Sequence, residues 1–147
     1  MDLTNFVAFK KQRKRGAKEV PPVAAINPRG HIIILEPAVK EISQTFPFTS
    51  DYHMAEIGID PVHHKYIIIK VVLTENRTPN SYKLQRLKGK QESRGIYLYC
   101  KGFLKSLGIF TQIRDIPVDT HKDETGNYII LDIDEGINPN TNQKYGS

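Results

Sequence analysis

The sequence predicts an α+β chain, mostly β, built as two β-β-α-β-β repeats that close into one pseudo-two-fold barrel with short helices at its ends. Three observations predict it. A strand, a tight turn, a second strand and a short helix are packed into AAINPRGHIIILEPAVKEI, residues 24–42. A similar order of turn and apolar positions returns around Arg94-Gly95. One such unit alone would leave strand edges and an apolar face uncovered, and a second, interleaved unit would cover them. At 147 residues the chain can bury roughly 70% of its unfolded surface without staples.

In the first half, Asn27-Pro28-Arg29-Gly30 joins strand Val23 to Ile26 to strand His31 to Leu35, Pro presetting φ and Gly tolerating φ > 0. HIIIL is β-branched almost throughout, and its unbroken apolar run is expected to be buried on both faces. Glu36-Pro37 opens a helix, with Pro where a missing N–H costs nothing. Ala38, Val39, Ile42 and Phe46 share its buried face, Lys40 and Glu41 point away, and Pro47 is expected to end it. Met54 to Ile59 is a strand with Ala55, Ile57 and Ile59 inward, Asp60 to His64 turns the chain, and Lys65 to Leu73 is the next strand. Thr74 to Ser81, TENRTPNS, is turn chemistry throughout. Its Asn76-Arg77-Thr78 matches a glycosylation sequon but reads as a polar loop.

The second half repeats the plan. Tyr82 to Leu87 is a strand, Lys88 to Gly95 a charged loop, and Ile96 to Tyr99 a strand. Cys100, Phe103, Leu104 and Leu107 mark one helix face, with Gly108 just past its end and Ile109 meeting Leu104, as a Schellman ending requires. Phe110 to Val118 is a strand, Asp119 to Gly126 a polar turn, and Asn127 to Ile133 the last strand. The boundaries are a basic arm at 1–22, repeats at 23–73 and 82–134 sharing one core, a linker at 74–81 and a flexible tail at 135–147. Setting Arg29-Gly30 on Arg94-Gly95 places Ile32 on Tyr97, Ile34 on Tyr99, Val39 on Leu104 and Lys40 on Lys105. Tyr97 and Tyr99 are therefore expected in the core.

The net charge is +5, and it is concentrated. Lys10, Lys11, Arg13, Lys14, Arg15 and Lys18 face only Asp2 and Glu19 in the first 20 residues, and the rest is nearly neutral. Two readings stay open for this arm: it neutralises nucleic-acid phosphates, or it is a solvated tail. The single cysteine, Cys100, excludes an intrachain disulfide and any multi-cysteine metal site, which fits a reducing compartment. The apolar runs are too short to span a bilayer, and Met1-Asp2-Leu3-Thr4 does not open a secretory signal. The expectation is a cytoplasmic chain with no membrane partner.

From Val23 to Val72 the order of strand, Pro-Arg-Gly turn, strand, short helix, strand, turn and strand resembles the AbrB/SpoVT swapped-hairpin domain of bacterial transition-state regulators and antitoxins. INPRGHIIILEPAVKEI looks like that family's opening pattern, a glycine turn leading to a strand, a proline and a short basic helix. The resemblance implies a barrel of exchanged hairpins that binds DNA through Arg29 and Lys40, with Arg94 and Lys105 as their counterparts. Here the proline follows Glu36, later than usual, and Lys40 stands where arginine is typical. The family pairs two chains, whereas this chain carries both halves, so a monomeric pseudo-dimer is expected.

Catalytic signatures are sparse. His63-His64 offers no third metal ligand, Cys100 falls on a core face, and no GxSxG, P-loop or HExxH pattern occurs. Asp123-Glu124 and Asp132, Asp134 and Glu135 read as solvated surface. The expectation is therefore a protein that is not an enzyme and needs no cofactor or metal. It would be a nucleic-acid-binding module or small transcription regulator acting through the arm and Arg29, Lys40, Arg94 and Lys105. Tyr82, Tyr97 and Tyr99, near Lys83, Arg86, Lys88, Lys90 and Arg94, would suit stacking on single strands. The alternative is a phage-type or accessory protein that binds and modulates a host protein complex.

Overall fold

The computed structural model describes residues 22–63, 65–89 and 93–146. The cations expected in the arm, Lys10 to Lys18, lie outside the described residues. In chain order the elements are β1 (Val23–Ile26), β2 (His31–Leu35), α1 (Glu36–Ser43), β3 (His53–Ile59), β4 (Tyr66–Leu73), β5 (Tyr82–Lys83), β6 (Gln85–Lys88) and β7 (Ser93–Tyr99). Then come α2 (Lys101–Ser106), β8 (Ile113–Asp123), β9 (Gly126–Asp132), β10 (Ile137–Asn138) and β11 (Gln143–Lys144). The chain is mostly β, as its sequence predicts.

The main strands form one antiparallel path, β5-β3-β4-β9-β8-β1-β2-β7-β6, and two segments turn its corners. β8 pairs with β1 through Pro117 opposite Val23 and Ile116 opposite Ala24, then with β9 from Val118 to Asp123. The switch is made by a register shift opposite Ala24 and Ile26, with Asp115 at φ 53, the geometry of a β-bulge that bends its strand. At the second corner β5 pairs with β3 while β6 pairs with β7, and Leu84 between them is buried. Because β5 and β6 stand at the two ends of the path, this one segment draws the edges together into a nearly closed barrel.

The core follows from alternation. Ile32 and Ile34 of β2, Ile67 and Ile69 of β4, Ile96 and Leu98 of β7, and Ile129 and Leu131 of β9 are fully buried. No buried polar or charged residue accompanies them among the described residues. Each side chain so buried stabilises the fold by roughly 1.5–3 kcal/mol. HIIIL is buried on one face only, with Ile33 half-buried, because a barrel wall has a single inner side and period two governs it.

α1 has Pro37 in its first turn and buries Ala38, Val39 and Ile42. It ends at Ser43, short of Pro47; the Ser43 hydroxyl donates to the Val39 carbonyl at 2.8 Å, and Phe46 reaches the core from beyond the helix. α2 closes in the expected Schellman form. Gly108, at φ 73, donates to the Lys105 carbonyl at 3.0 Å, and the Ile109 N–H donates to the Leu104 carbonyl at 3.0 Å. β2 and β7 run antiparallel, His31 opposite Tyr99 and Leu35 opposite Gly95, so the helices that follow them leave at opposite ends of that pair.

Three further expectations change. Arg94-Gly95 is not a turn; Gly95 lies within β7, between Leu35 of β2 and Leu87 of β6. β8 runs on to Asp123 and leaves only Glu124-Thr125 as the turn, since alternating Thr and charged residues suit an exposed hairpin arm as well as a loop. The polar segment after Glu135, expected to be a loose tail, forms the β10–β11 hairpin. It is held by Ile137 opposite Arg114, by the Tyr145 N–H to the Gly136 carbonyl at 2.7 Å, and by Tyr145 packing on the core. In the expected linker, Thr74–Asn76 is a 3-10 turn and the Ser81 N–H donates to the Thr78 carbonyl at 3.0 Å. No helix of the described residues is long and apolar enough to cross a membrane.

Candidate nucleic-acid interface

The turn from Asn27 to Gly30 is held by its own side chain. Asn27 Oδ1 accepts the N–H of Arg29 at 3.1 Å and of His31 at 3.0 Å, an Asx turn that fixes where Arg29 projects. Gly30, at φ 98, then rests on the start of α2: its carbonyl accepts the Cys100 N–H at 2.8 Å, and a Cβ there would collide with the Lys101 backbone and side chain. The glycine is thus required by helix packing as well as by the turn.

This contact brings cations together. Turn and helix line a cleft of 290 Å³ whose walls include Pro28, Lys101, Leu104, Lys105 and Phe110, with no acidic side chain among its lining residues. Arg29, Lys101 and Lys105 are all exposed. Phe110 is 63% exposed at the same cleft. The site therefore offers positive charge beside flat apolar surface.

The aromatic side chains extend it. Tyr97 and Tyr99 are not core residues; Ile96 and Leu98 take the inner positions and the tyrosines face outward, Tyr99 being 53% exposed. The expectation failed because Gly95 sits in the strand, which shifts the β7 register by one residue against an alignment on Gly30, and one residue reverses every face. His31 packs edge-on against both rings, at 5.5 Å from Tyr97 and 5.3 Å from Tyr99, and Tyr97 donates its hydroxyl to Gln85 Oε1 at 3.1 Å.

Of the expected site residues, Arg29 and Lys105 share this end of the barrel. Lys40 on α1 and Arg94 at the start of β7 are exposed at the other, where β7 packs on α1 and Arg86 pairs with Glu36 at 3.4 Å. The four cations thus form two pairs and not one patch. Lys101 was missed in the sequence, although its spacing of one helical turn from Lys105 could have shown it.

The remaining polar groups are dispersed. Burial pushes the Cys100 thiol up to about 12, so it stays protonated and behaves as a small apolar side chain. His63 pairs with Asp60 at 3.3 Å and His121 with Asp123 at 2.9 Å. No group of three His, Cys, Asp or Glu residues placed to hold a metal occurs among the described residues. In comparisons with known proteins, no family model, no curated protein and no solved structure matches the chain.

Proposed function

We propose that the chain is a non-enzymatic nucleic-acid-binding module, a small regulator in which the barrel supplies a cation-and-aromatic face and the N-terminal arm adds charge. The observation that carries this reading is a cleft lined by Lys101 and Lys105 and, among the described residues, by no carboxylate, with exposed Arg29 in the turn that forms its other wall and the outward Tyr99 packed on His31. Cations track phosphates while rings stack on bases, which suits single strands.

The reading extends to a duplicated, AbrB/SpoVT-like unit. Exchanging β1 with the β5–β6 segment, β2 with β7, β3 with β8 and β4 with β9 reproduces the strand-pairing pattern. Buried positions correspond too, Ile32 and Ile34 with Ile96 and Leu98 in the strands, and Val39 with Leu104 in the helices. A monomeric pseudo-dimer is the assembly this supports.

Fluorescence anisotropy with labelled single-stranded DNA, duplex and RNA across a salt series tests the function. Binding should weaken with a log-log slope of about −0.7 per phosphate neutralised on single strands and about −0.9 on duplex. The Lys101→Ala/Lys105→Ala variant should flatten that slope by about one to two. Absence of binding to all three probes at low salt, or an unchanged slope in the variant, refutes the reading. The apolar wall of the cleft, above all exposed Phe110, favours a second reading, docking on a host protein complex, which a nuclease-treated pull-down isolates.

A further inference from the structure

On the face formed by β4, β9 and the second half of β8, the charge lining one groove is reversed, with three aspartates and no lysine or arginine among the described residues. This groove of 520 Å³ has an apolar floor including Ile68 and Ile130, and Asp60, Asp119 and Asp132 on its walls beside Tyr66. One local cation only partly offsets them: Lys65 stands 3.6 Å from Asp132 Oδ2 with its ammonium 4.8 Å over the Tyr66 ring, while the His63 ring stands 3.3 Å from Asp60. Asp132 Oδ1 is shut off from solvent with no hydrogen-bond partner.

The chain's own path leads there. Val23 lies opposite Pro117, which lines the groove, and β1 runs antiparallel to β8, so the start of β1 stands beside the wall made by Pro117, Val118 and Asp119. From Val118 onward β8 has β9 on one side and no strand on the other among the described residues. Lys18 stands five residues before Val23, within roughly 17 Å of extended chain, and Lys10 lies within roughly 45 Å. The arm brings six lysines and arginines for the carboxylates and Phe6 and Phe9 for the floor. A tether this short gives an effective concentration on the order of millimolar, enough for weak contacts to hold.

We propose that the basic arm docks back into this groove, its cations on Asp60, Asp119 and Asp132, and that docking competes with nucleic acid for the same cations. The docking stands independently of the nucleic-acid reading; the competition rests on it.

Limited trypsin digestion of the full chain tests the docking without nucleic acid present. In low salt, cleavage between Lys10 and Lys18 should run at least about fivefold faster in the Asp60→Asn/Asp119→Asn variant than in the wild type, and the two should converge at high salt as screening removes the attraction. Asn keeps the acceptor oxygens that take the Val62 N–H at 2.8 Å and the Thr120 N–H at 2.8 Å. Zero-length carbodiimide cross-linking of the wild type, which needs no variant, should join arm lysines to Asp60, Asp119 or Asp132 within one chain. Equal cleavage rates in a cooperatively melting variant, or cross-links spread evenly over other carboxylates such as Glu41 and Glu75, overturn docking. The variant should also bind a labelled single strand several-fold more tightly; unchanged affinity overturns the competition alone.

Discussion

Replacing Gly95 by alanine asks whether the glycine serves a turn or a strand crossing. Its φ of 143 lies where side chains are rarely tolerated, a strain of about 1–3 kcal/mol for any L residue. The added Cβ would run into the Ile34 carbonyl oxygen and come within 3.1 Å of both the Ile34 carbonyl carbon and the Leu35 Cα. All three are backbone atoms in the barrel wall, so no rotamer change relieves the contact and β2 must move away from β7. Adding strain and displacement gives about 3–4 kcal/mol, a fall in Tm of roughly 10 °C for a domain of this size. Thermal melting and urea titration with an unchanged m-value measure it. Gly58 is the control, since a Cβ there meets nothing within 4 Å. Its change to Ala should be neutral or stabilise by up to about 1 kcal/mol. If Gly95→Ala melts within about 2 °C of the wild type, or if Gly95→Asn restores stability as it would in a left-handed turn, the strand assignment is wrong.

The raised Cys100 thiol predicts falling stability at high pH: the unfolded chain releases its proton near 9.0 while the folded chain holds it until about 12. Stability contributed by the neutral thiol is complete below 9 and is lost as pH rises through that window, with a limiting slope of about 1.4 kcal/mol per pH unit. Comparison of urea midpoints with Cys100→Ala isolates it, and a native chain that reacts rapidly with a thiol reagent at pH 8 refutes it. At the β8–β9 turn, the Thr125 hydroxyl, then its N–H, then His121 hold the Asp123 carboxyl down at about 2. NMR titration should find it there, and Thr125→Val should raise it toward the ordinary carboxylate range. Gly108 is in a left-handed cap with open space around it, so Gly108→Ala should cost about 1 kcal/mol by chemical denaturation and Gly108→Asn less.

The sequence by itself determined the local features. The Asn27–Gly30 turn, the Pro-opened helix, the Schellman end at Gly108 and the runs of β-branched residues are fixed by neighbours a few positions away, so residue chemistry is enough to find them. Part of the candidate site was legible in the same way, because Arg29 had to project from a turn and Lys105 from a polar helix face. Tertiary structure decided what depends on a distant partner. Whether Gly95 turns or crosses is set by the approach of β2, and that one position sends Tyr97 and Tyr99 outward and Ile96 and Leu98 inward. Lys101 joins the site because Gly30 lets the turn settle on α2. Closure depends on a bulge at Asp115 and a buried Leu84, two corners whose shape comes from strands far along the chain. A pattern of period two says that a strand has two faces; only its partners decide which one is inside.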